Sequence, residues 1–361
     1  MMKRRSFLQH SGMAGILAAG SAPVFAQAAP TIKWRCASSF PKSLDTLFGA
    51  ADNMSKRISA ATSGRFDVQV FAAGEIVGGL QVADAVQSGT VQCGQTAPYY
   101  YIGKDPTFAF GTSIPFGLNF RQYNAWWMMA GGDQLFNDFL KSYDIHSILA
   151  GNTGAQMGGW FRKEIRSVED LKGLKFRIGG FAGQVFSKLG VVPQQIAGGE
   201  IYPALEKGTV DAAEWVGPYD DEKLGFDKIA KNYYYPGWWE GGPALHIFVN
   251  MKAWESLPKD YQAILEAACA ESNVWMMAKY DAGNPPALKR LIAKGVQFRP
   301  FPKDVMDACY KAALELYAET TAKNANFKKL YDHTVAFRND SISWMRFTEN
   351  TYDDFMANAK K

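Results

Sequence analysis

Two separate stretches of this chain, residues 31–94 and 174–213, read as strand, helix, strand, helix, strand, and that repetition restricts the fold more than any other feature. In the first, Ile32, Trp34 and Cys36 alternate with Lys33 and Arg35 over 31–37, the period of a half-buried strand. Residues 43–61 then space Leu47, Ala51, Met54 and Ile58 as one helix face, 65–71 alternates Phe66, Val68 and Val70, 81–88 is a helix stopped by Gly89, and 90–94 is a third strand. The second stretch gives strands at 174–178, 191–196 and 209–213 and helices at 182–189 and 201–207. The two share one short match, Ala, an aliphatic, an amide or acid and then Gly-Thr-Val, in Asp84-Ala-Val-Gln-Ser-Gly-Thr-Val-Gln-Cys93 and Pro203-Ala-Leu-Glu-Lys-Gly-Thr-Val-Asp-Ala212. An α/β protein of two similarly built lobes is therefore expected. Extended runs at 145–150, 157–163 and 244–250 are the candidates to cross between them, and crossing strands make a hinge that lets two lobes close on something small. On this reading residues 31–150 plus about 244–300 form lobe I and 151–243 form lobe II. Beyond Glu255 helices are expected at 258–279, 303–322 and 340–358 with one strand at 296–299, and 301–361 is read as packing or dimerisation helices.

The first residues belong to a different category. Lys3-Arg4-Arg5-Ser6-Phe7-Leu8 precedes a Gly- and Ala-rich apolar segment and then Val24-Phe25-Ala26, the pattern of a twin-arginine secretory signal covering 1–26. That segment is too short and too rich in Gly and Ser to span a bilayer, which takes roughly 20 apolar residues. Without Lys3, Arg4 and Arg5, and with no acid removed, 36 basic residues stand against 35 acidic ones, so nothing in the charge suggests a nucleic-acid partner. Cys36, Cys93, Cys269 and Cys309 have no CxxC spacing and sit in apolar patterns, which predicts buried free thiols rather than a metal cluster.

The candidate site follows from where charges fall relative to the strands. In Asp211-Ala-Ala-Glu-Trp-Val-Gly-Pro-Tyr-Asp-Asp221, Glu214 and Trp215 come just after a strand, at the end that faces the ligand crevice in open α/β sheets. Arg177 ends another strand and precedes Gly179-Gly180-Phe-Ala-Gly183, a pairing of guanidinium and free N–H groups suited to a carboxylate or phosphate, although a surface Arg beside a turn fits the pattern as well. A dinucleotide fingerprint is excluded by the glycine spacing. Glu240 lies in Tyr235-Pro-Gly-Trp-Trp-Glu-Gly-Gly242, where a carboxylate among tryptophans needs a cation or donors. With Gln156 as a neutral oxygen, Glu214 and Glu240 are candidates for a hard, oxygen-ligated cation or for structural acids held by backbone donors. Of Tyr99, Tyr100 and Tyr101, at least one should face the crevice, whereas the aromatic runs 108–120 and 126–129 read as core. No nucleophile elbow, zinc-protease helix or P-loop is present, and of His146, His246 and His333 the first two lie inside strand-like runs and read as core imidazoles, so an enzyme finds little support.

These residues resemble the extracytoplasmic solute-binding subunits of tripartite ATP-independent periplasmic (TRAP) transporters, of the DctP-like kind, and among them the branch that binds 2-oxo acids such as pyruvate. The resemblance rests on Gly151-Asn-Thr-Gly-Ala-Gln-Met-Gly-Gly-Trp160, Asp170-Leu-Lys-Gly-Leu-Lys-Phe-Arg-Ile-Gly-Gly180, Val192-Pro-Gln-Gln195, residues 211–221 and 235–242. It implies a two-lobed, type II-like periplasmic binding protein with a helical C-terminal region, exported to the periplasm. It also implies an arginine on the ligand carboxylate, falling on Arg177, and a cation held by Gln156, Glu214, the main-chain carbonyl of Trp215, and Glu240. Tyr100 and Asn152 are implied as further ligand contacts. The branch points to sodium, with calcium and a 2-hydroxy acid such as lactate as the alternative. TRAP membrane subunits and a homodimer are the implied partners. A secreted carboxylate-processing enzyme is the alternative of another class.

Overall fold

The computed structural model describes residues 30–359; the signal read over 1–26 lies outside them. Elements follow in the order β1 (Ile32–Ser38), α1 (Leu47–Ala61), β2 (Phe66–Phe71), α2 (Val82–Gln87), β3 (Cys93–Thr96), α3 (Phe120–Met129), α4 (Gly132–Leu140), β4 (Ile145–Asn152), β5 (Gly159–Phe161) and β6 (Lys175–Arg177). Then come α5 (Gly180–Lys188), β7 (Val192–Gln194), α6 (Ile201–Glu206), β8 (Ala212–Ala213), α7 (Pro218–Leu224), β9 (Asn232–Tyr235), β10 (Ala244–Asn250), α8 (Met251–Ser256), α9 (Lys259–Ala293), β11 (Gln297–Pro300), α10 (Lys303–Lys323), α11 (Ala325–Phe347) and α12 (Glu349–Asn358).

The repeated pattern becomes two sheets of one design. The first has the order β2-β1-β3-β10-β4 and the second β11-β9-β5-β8-β6-β7. In each, three parallel strands from the repeat (β2-β1-β3 and β7-β6-β8) are followed by one antiparallel strand, β10 in the first and β5 in the second. Each antiparallel strand comes directly from the other lobe: β5 follows β4, and β10 follows β9. The chain thus crosses at 153–158 and 236–243, where the carboxyl ends of β3, β6 and β8 meet, and passes a third time from β10 along α8 and α9 into β11.

Alternation along β1 buries Trp34 and Cys36 on one face, Ala37 is buried on the other, and Leu47, Ala51, Met54 and Ile58 form the expected buried face of α1. The four cysteines are buried and free, with Cys36 and Cys93 opposite each other in the sheet. His246 is a satisfied core imidazole, 2.8 Å from Ser147 Oγ and 3.3 Å from the Tyr123 hydroxyl, and burial lowers its pKa to about 3.

Several expectations are corrected. The third strand starts at Cys93 rather than 90, because Gly89, at φ +74°, and the Val91 N–H on Ala85 O spend the preceding residues on a turn. The helix expected over 258–279 runs on to Ala293 through Pro285 and Pro286, steadied where Asn284 Oδ1 accepts from Tyr219 N at 3.0 Å. β11 pairs in parallel with β9, so residues 297–300 sit in the second sheet and not in lobe I. The helix expected over 340–358 is the end of α11 plus α12, broken at Thr348, whose backbone leaves helical geometry (φ −107°, ψ −93°). Met128 and Met129, read as core, lie exposed on the last turn of α3.

Candidate functional site

Arg177 and Ala213 are register partners on neighbouring parallel strands, so the residues after them emerge side by side. Glu214 turns back onto Arg177: its Oε1 accepts from Arg177 Nη1 and, at 2.9 Å, from Gly179 N. Arg177 Nη1 also donates to Glu214 O at 2.9 Å and Nε to Ile196 O at 3.0 Å. Its guanidinium stacks 5.0 Å from the Trp215 ring. Arg177 is 1% exposed and Glu214 fully buried. The Gly179 N–H expected to face a ligand is therefore taken by Glu214.

Asp221, at the far end of the same stretch, holds the loop in shape. Its Oδ1 accepts from Val216 N and Gly217 N, and its Oδ2 from Trp160 Nε1 at 2.9 Å and the Tyr233 hydroxyl at 2.7 Å. Burial pushes its pKa to about 7 despite those donors.

The crossings supply the opposite wall. Gln156 N donates to Glu240 O and Gly237 N to Gln156 O, so the two crossings are bonded together and present Gln156 and Glu240 side by side. The Gln156 side-chain amide stands 2.5 Å from Trp215 O and 2.6 Å from Glu240 Oε2. With its NH2 turned there, it donates to both. With its oxygen turned there, three oxygens face one point, which a cation beside them or a proton on Glu240 would stabilise. Among the described residues no three His, Cys, Asp or Glu side chains gather as a metal cluster, so an ion here would rely on carboxylates plus neutral oxygens, the donor set of a hard cation.

From lobe I, the turn after β3 divides its three tyrosines. The Tyr99 hydroxyl donates to Glu240 Oε1 at 2.9 Å, Tyr100 lines the cavity, and Tyr101 bonds within its own lobe to Thr96 and Ala83. The cavity lies between the lobes, with Tyr99, Tyr100, Thr153, Gln156 and Trp215 on its polar side and Phe40, Leu47 and Leu245 on its apolar side. Arg177, Glu214 and Glu240 stand behind that wall, touching it through Trp215, Tyr99 and Gln156. Three buried polar atoms here have no partner: Arg177 Nη2, Glu214 Oε2 and Trp215 Nε1.

Burial dominates the electrostatics. It raises Glu214, against which the Arg177 charge and the Gly179 N–H pull down, and it raises Glu240 strongly, with the Glu214 charge adding to the effect. With both acids ionised, two carboxylates against one guanidinium leave the site short of positive charge before any anion arrives.

The structure thus brings together Arg177, Gln156, Glu214, Trp215, Glu240 and Tyr100. It does not bring the Asn152 side chain to the cavity: its amide donates to Gly242 O and accepts from Gly154 N, both at 2.9 Å, tying the crossings together. Sequence reasoning missed Tyr99 as the partner of Glu240 and Thr153 as a wall residue. The tyrosine triplet marked the place, but the phase of the turn decides which ring points where.

A profile of the bacterial extracellular solute-binding protein family 7 (DctP) matches residues 37–324. A monocarboxylate 2-oxoacid-binding periplasmic protein of Nostoc sp. is 51% identical over 331 residues, covering 92% of this chain and 91% of that one. Among solved structures, a TRAP transporter solute-binding protein of Bordetella bronchiseptica, a mixed-occupancy dimer with copurified calcium and picolinate, shares 52% identity, covers 91% of this chain and 97% of that chain, and gives a TM-score of 0.90. A TRAP periplasmic solute-binding protein of Pseudoalteromonas atlantica with bound sodium and pyruvate shares 39% identity over 91% and 100% of the two chains, with a TM-score of 0.88. Two lobes of repeated design, charged groups buried behind the cavity at their crossings, and this span of sequence likeness lead to one conclusion: the chain belongs to the DctP family of TRAP transporter solute-binding proteins.

Proposed function

We propose that the protein is a periplasmic receptor that captures a small 2-oxo monocarboxylate such as pyruvate, together with a cation, and hands it to TRAP membrane subunits. The observation that carries this reading is the set of unmatched groups around the cavity. Arg177 Nη2 has no partner, and the Gln156 amide, Trp215 O and Glu240 Oε2 converge on one point. A carboxylate answers the first and a hard cation the second. The Nostoc relative is named for 2-oxoacid binding, and the two solved relatives hold calcium with picolinate and sodium with pyruvate.

In this reading Arg177 takes the ligand carboxylate and Tyr100 packs on the ligand, while Asn152 fixes the crossings. Gln156, Glu214 through Oε2, Trp215 O and Glu240 through Oε2 would hold the ion. The ion would supply a positive charge that draws in a carboxylate oxygen and a C2 oxygen of one ligand together. Charge counting decides between ions: Glu214, Glu240 and the ligand bring three negative charges against the one of Arg177. A divalent ion cancels the remainder and sodium halves it, so both fit and calcium is held more tightly.

The receptor works as a binder and not as an enzyme, which an NMR time course of pyruvate with excess protein would contradict by showing turnover. Export follows the twin-arginine route, and Arg4→Lys with Arg5→Lys would strand precursor in the cytoplasm; normal periplasmic levels of that variant would refute the route. A homodimer forms through α11 and α12, whose Trp344, Phe347, Tyr352 and Phe355 are 61–78% exposed in the single chain.

The proposed ligand class is tested by a thermal-shift screen of short 2-oxo, 2-hydroxy, unsubstituted and dicarboxylic acids with calcium present. A 2-oxo monocarboxylate at 100 times its dissociation constant stabilises by roughly 2.7 kcal/mol. No shift with any 2-oxo acid, or a larger one with a dicarboxylate, would overturn the reading.

A further inference from the structure

The carboxylate of Glu240 does not have two free oxygens to offer. Its Oε1 accepts from the Tyr99 hydroxyl at 2.9 Å, and only Oε2 faces the Gln156 amide and, beyond it, Trp215 O. Tyr99 cannot swing away, because its ring is seated from several sides. Gly180 has φ +63°, and a Cβ there would lie 2.3 Å from Tyr99 Cδ2; a Cβ on Gly179 would lie 3.0 Å from the tyrosine oxygen. The Tyr99 backbone is pinned by its N–H on Thr112 Oγ1 at 3.1 Å, and the Tyr100 ring stands 5.0 Å away. The glycine pair that opens α5 thus forms a socket for this ring, and the socket fixes where the phenol points.

We infer that Tyr99 is a positioning residue for ion selection: by occupying one oxygen of Glu240 it leaves a single oxygen of that carboxylate for the cation. This rests on the ion proposed above. Calcium takes 6–8 oxygens and gains from each additional charged one, so a Glu240 that gives one oxygen and not two makes less of a divalent charge. The hydroxyl of Tyr99 therefore restrains the preference for calcium that the charge count alone would give and keeps the site open to sodium. The ring of Tyr99 does not carry this effect, and the hydroxyl does.

The test is Tyr99→Phe, which keeps the seated ring and frees Oε1. Calcium and sodium affinities are measured by calorimetry on the full mature protein with saturating pyruvate, alongside the melting temperature of the ion-free form. The expected result is a rise of about tenfold in the ratio of calcium to sodium affinity with an unchanged ion-free melting temperature. A ratio within about twofold of the parent, or an equal loss for both ions, would overturn the inference and leave Tyr99 as packing only. Glu240→Gln serves as the second variant: it should weaken both ions while narrowing their ratio. If the parent protein binds neither ion, the ion reading itself fails, and that outcome is distinguishable from an unchanged ratio.

Discussion

Arg177 has two tasks that substitution can separate. It neutralises a fully buried Glu214 through Nη1, and in the proposed function its unpartnered Nη2 meets the ligand. Arg177→Ala removes both. Glu214 would then retain only the Gly179 N–H, and an uncompensated buried charge costs about 3–5 kcal/mol of fold stability. Arg177→Lys keeps a cation near Glu214 but loses the bond to Ile196 O and the planar fork, a cost of about 1–2 kcal/mol in stability. Its effect on binding should be larger, about 2–3 kcal/mol, or roughly 30- to 150-fold in the dissociation constant of pyruvate. Adding Glu214→Gln to Arg177→Ala should recover most of the lost stability and none of the binding, because the two are coupled in the fold while only the arginine is proposed to reach the ligand carboxylate. Melting curves of the ligand-free variants and calorimetric titration with pyruvate check this. Pyruvate affinity of Arg177→Lys within about threefold of the parent would refute the role given to the guanidinium.

Two further outcomes follow from other parts of the molecule. Asp45, ahead of α1 in the first lobe, is bonded by Lys223 and the Tyr219 hydroxyl on α7 of the second lobe and by Lys279 on α9. Burial alone would raise its pKa, but the Lys223 and Lys279 bonds bring it down to about 2. A depressed carboxylate contributes stability above its unfolded value near 3.8 and loses it as pH falls toward 2, so the melting-temperature gap between the parent and Asp45→Asn should be present at pH 6 and shrink below pH 4. A gap that stays constant across that range would contradict the assignment. For the dimer, light scattering at micromolar concentration should give twice the chain mass, and Trp344→Lys with Phe355→Lys should give the single mass. A monomeric parent protein would end the idea.

The lobes were legible because strand and helix periods differ and the repeat presents both periods twice. Alternation in Ile32–Cys36 and in Phe66–Val70 and the helix face of Leu47, Ala51, Met54 and Ile58 all recur in the structure. Charges falling just past strand ends also located Arg177 and Glu214, since strand direction determines which end meets the cleft. Features that depend on tertiary packing were not legible. Pro285 and Pro286 argue locally for a helix end, yet α9 continues because Gly283 and Asn284 are held against Tyr219 of α7. β11 has no local sign of which lobe it joins, and only pairing with β9 decides it. The use of Asn152 on backbone groups, and of Tyr99 on Glu240, depends on side-chain directions at crossings that the sequence brings together only in three dimensions.

The central claim is that a cation and Arg177 together hold a 2-oxo acid, and the most direct measurement is a pyruvate titration of protein stripped by chelation and dialysed free of sodium, repeated with calcium and with sodium restored singly. Pyruvate should bind weakly to the stripped protein and tightly after either ion returns, more so with calcium, while propionate, which lacks the C2 oxygen, stays weak throughout. Full pyruvate affinity in the ion-free protein, or equal affinity for propionate, would contradict the ion-bridged site.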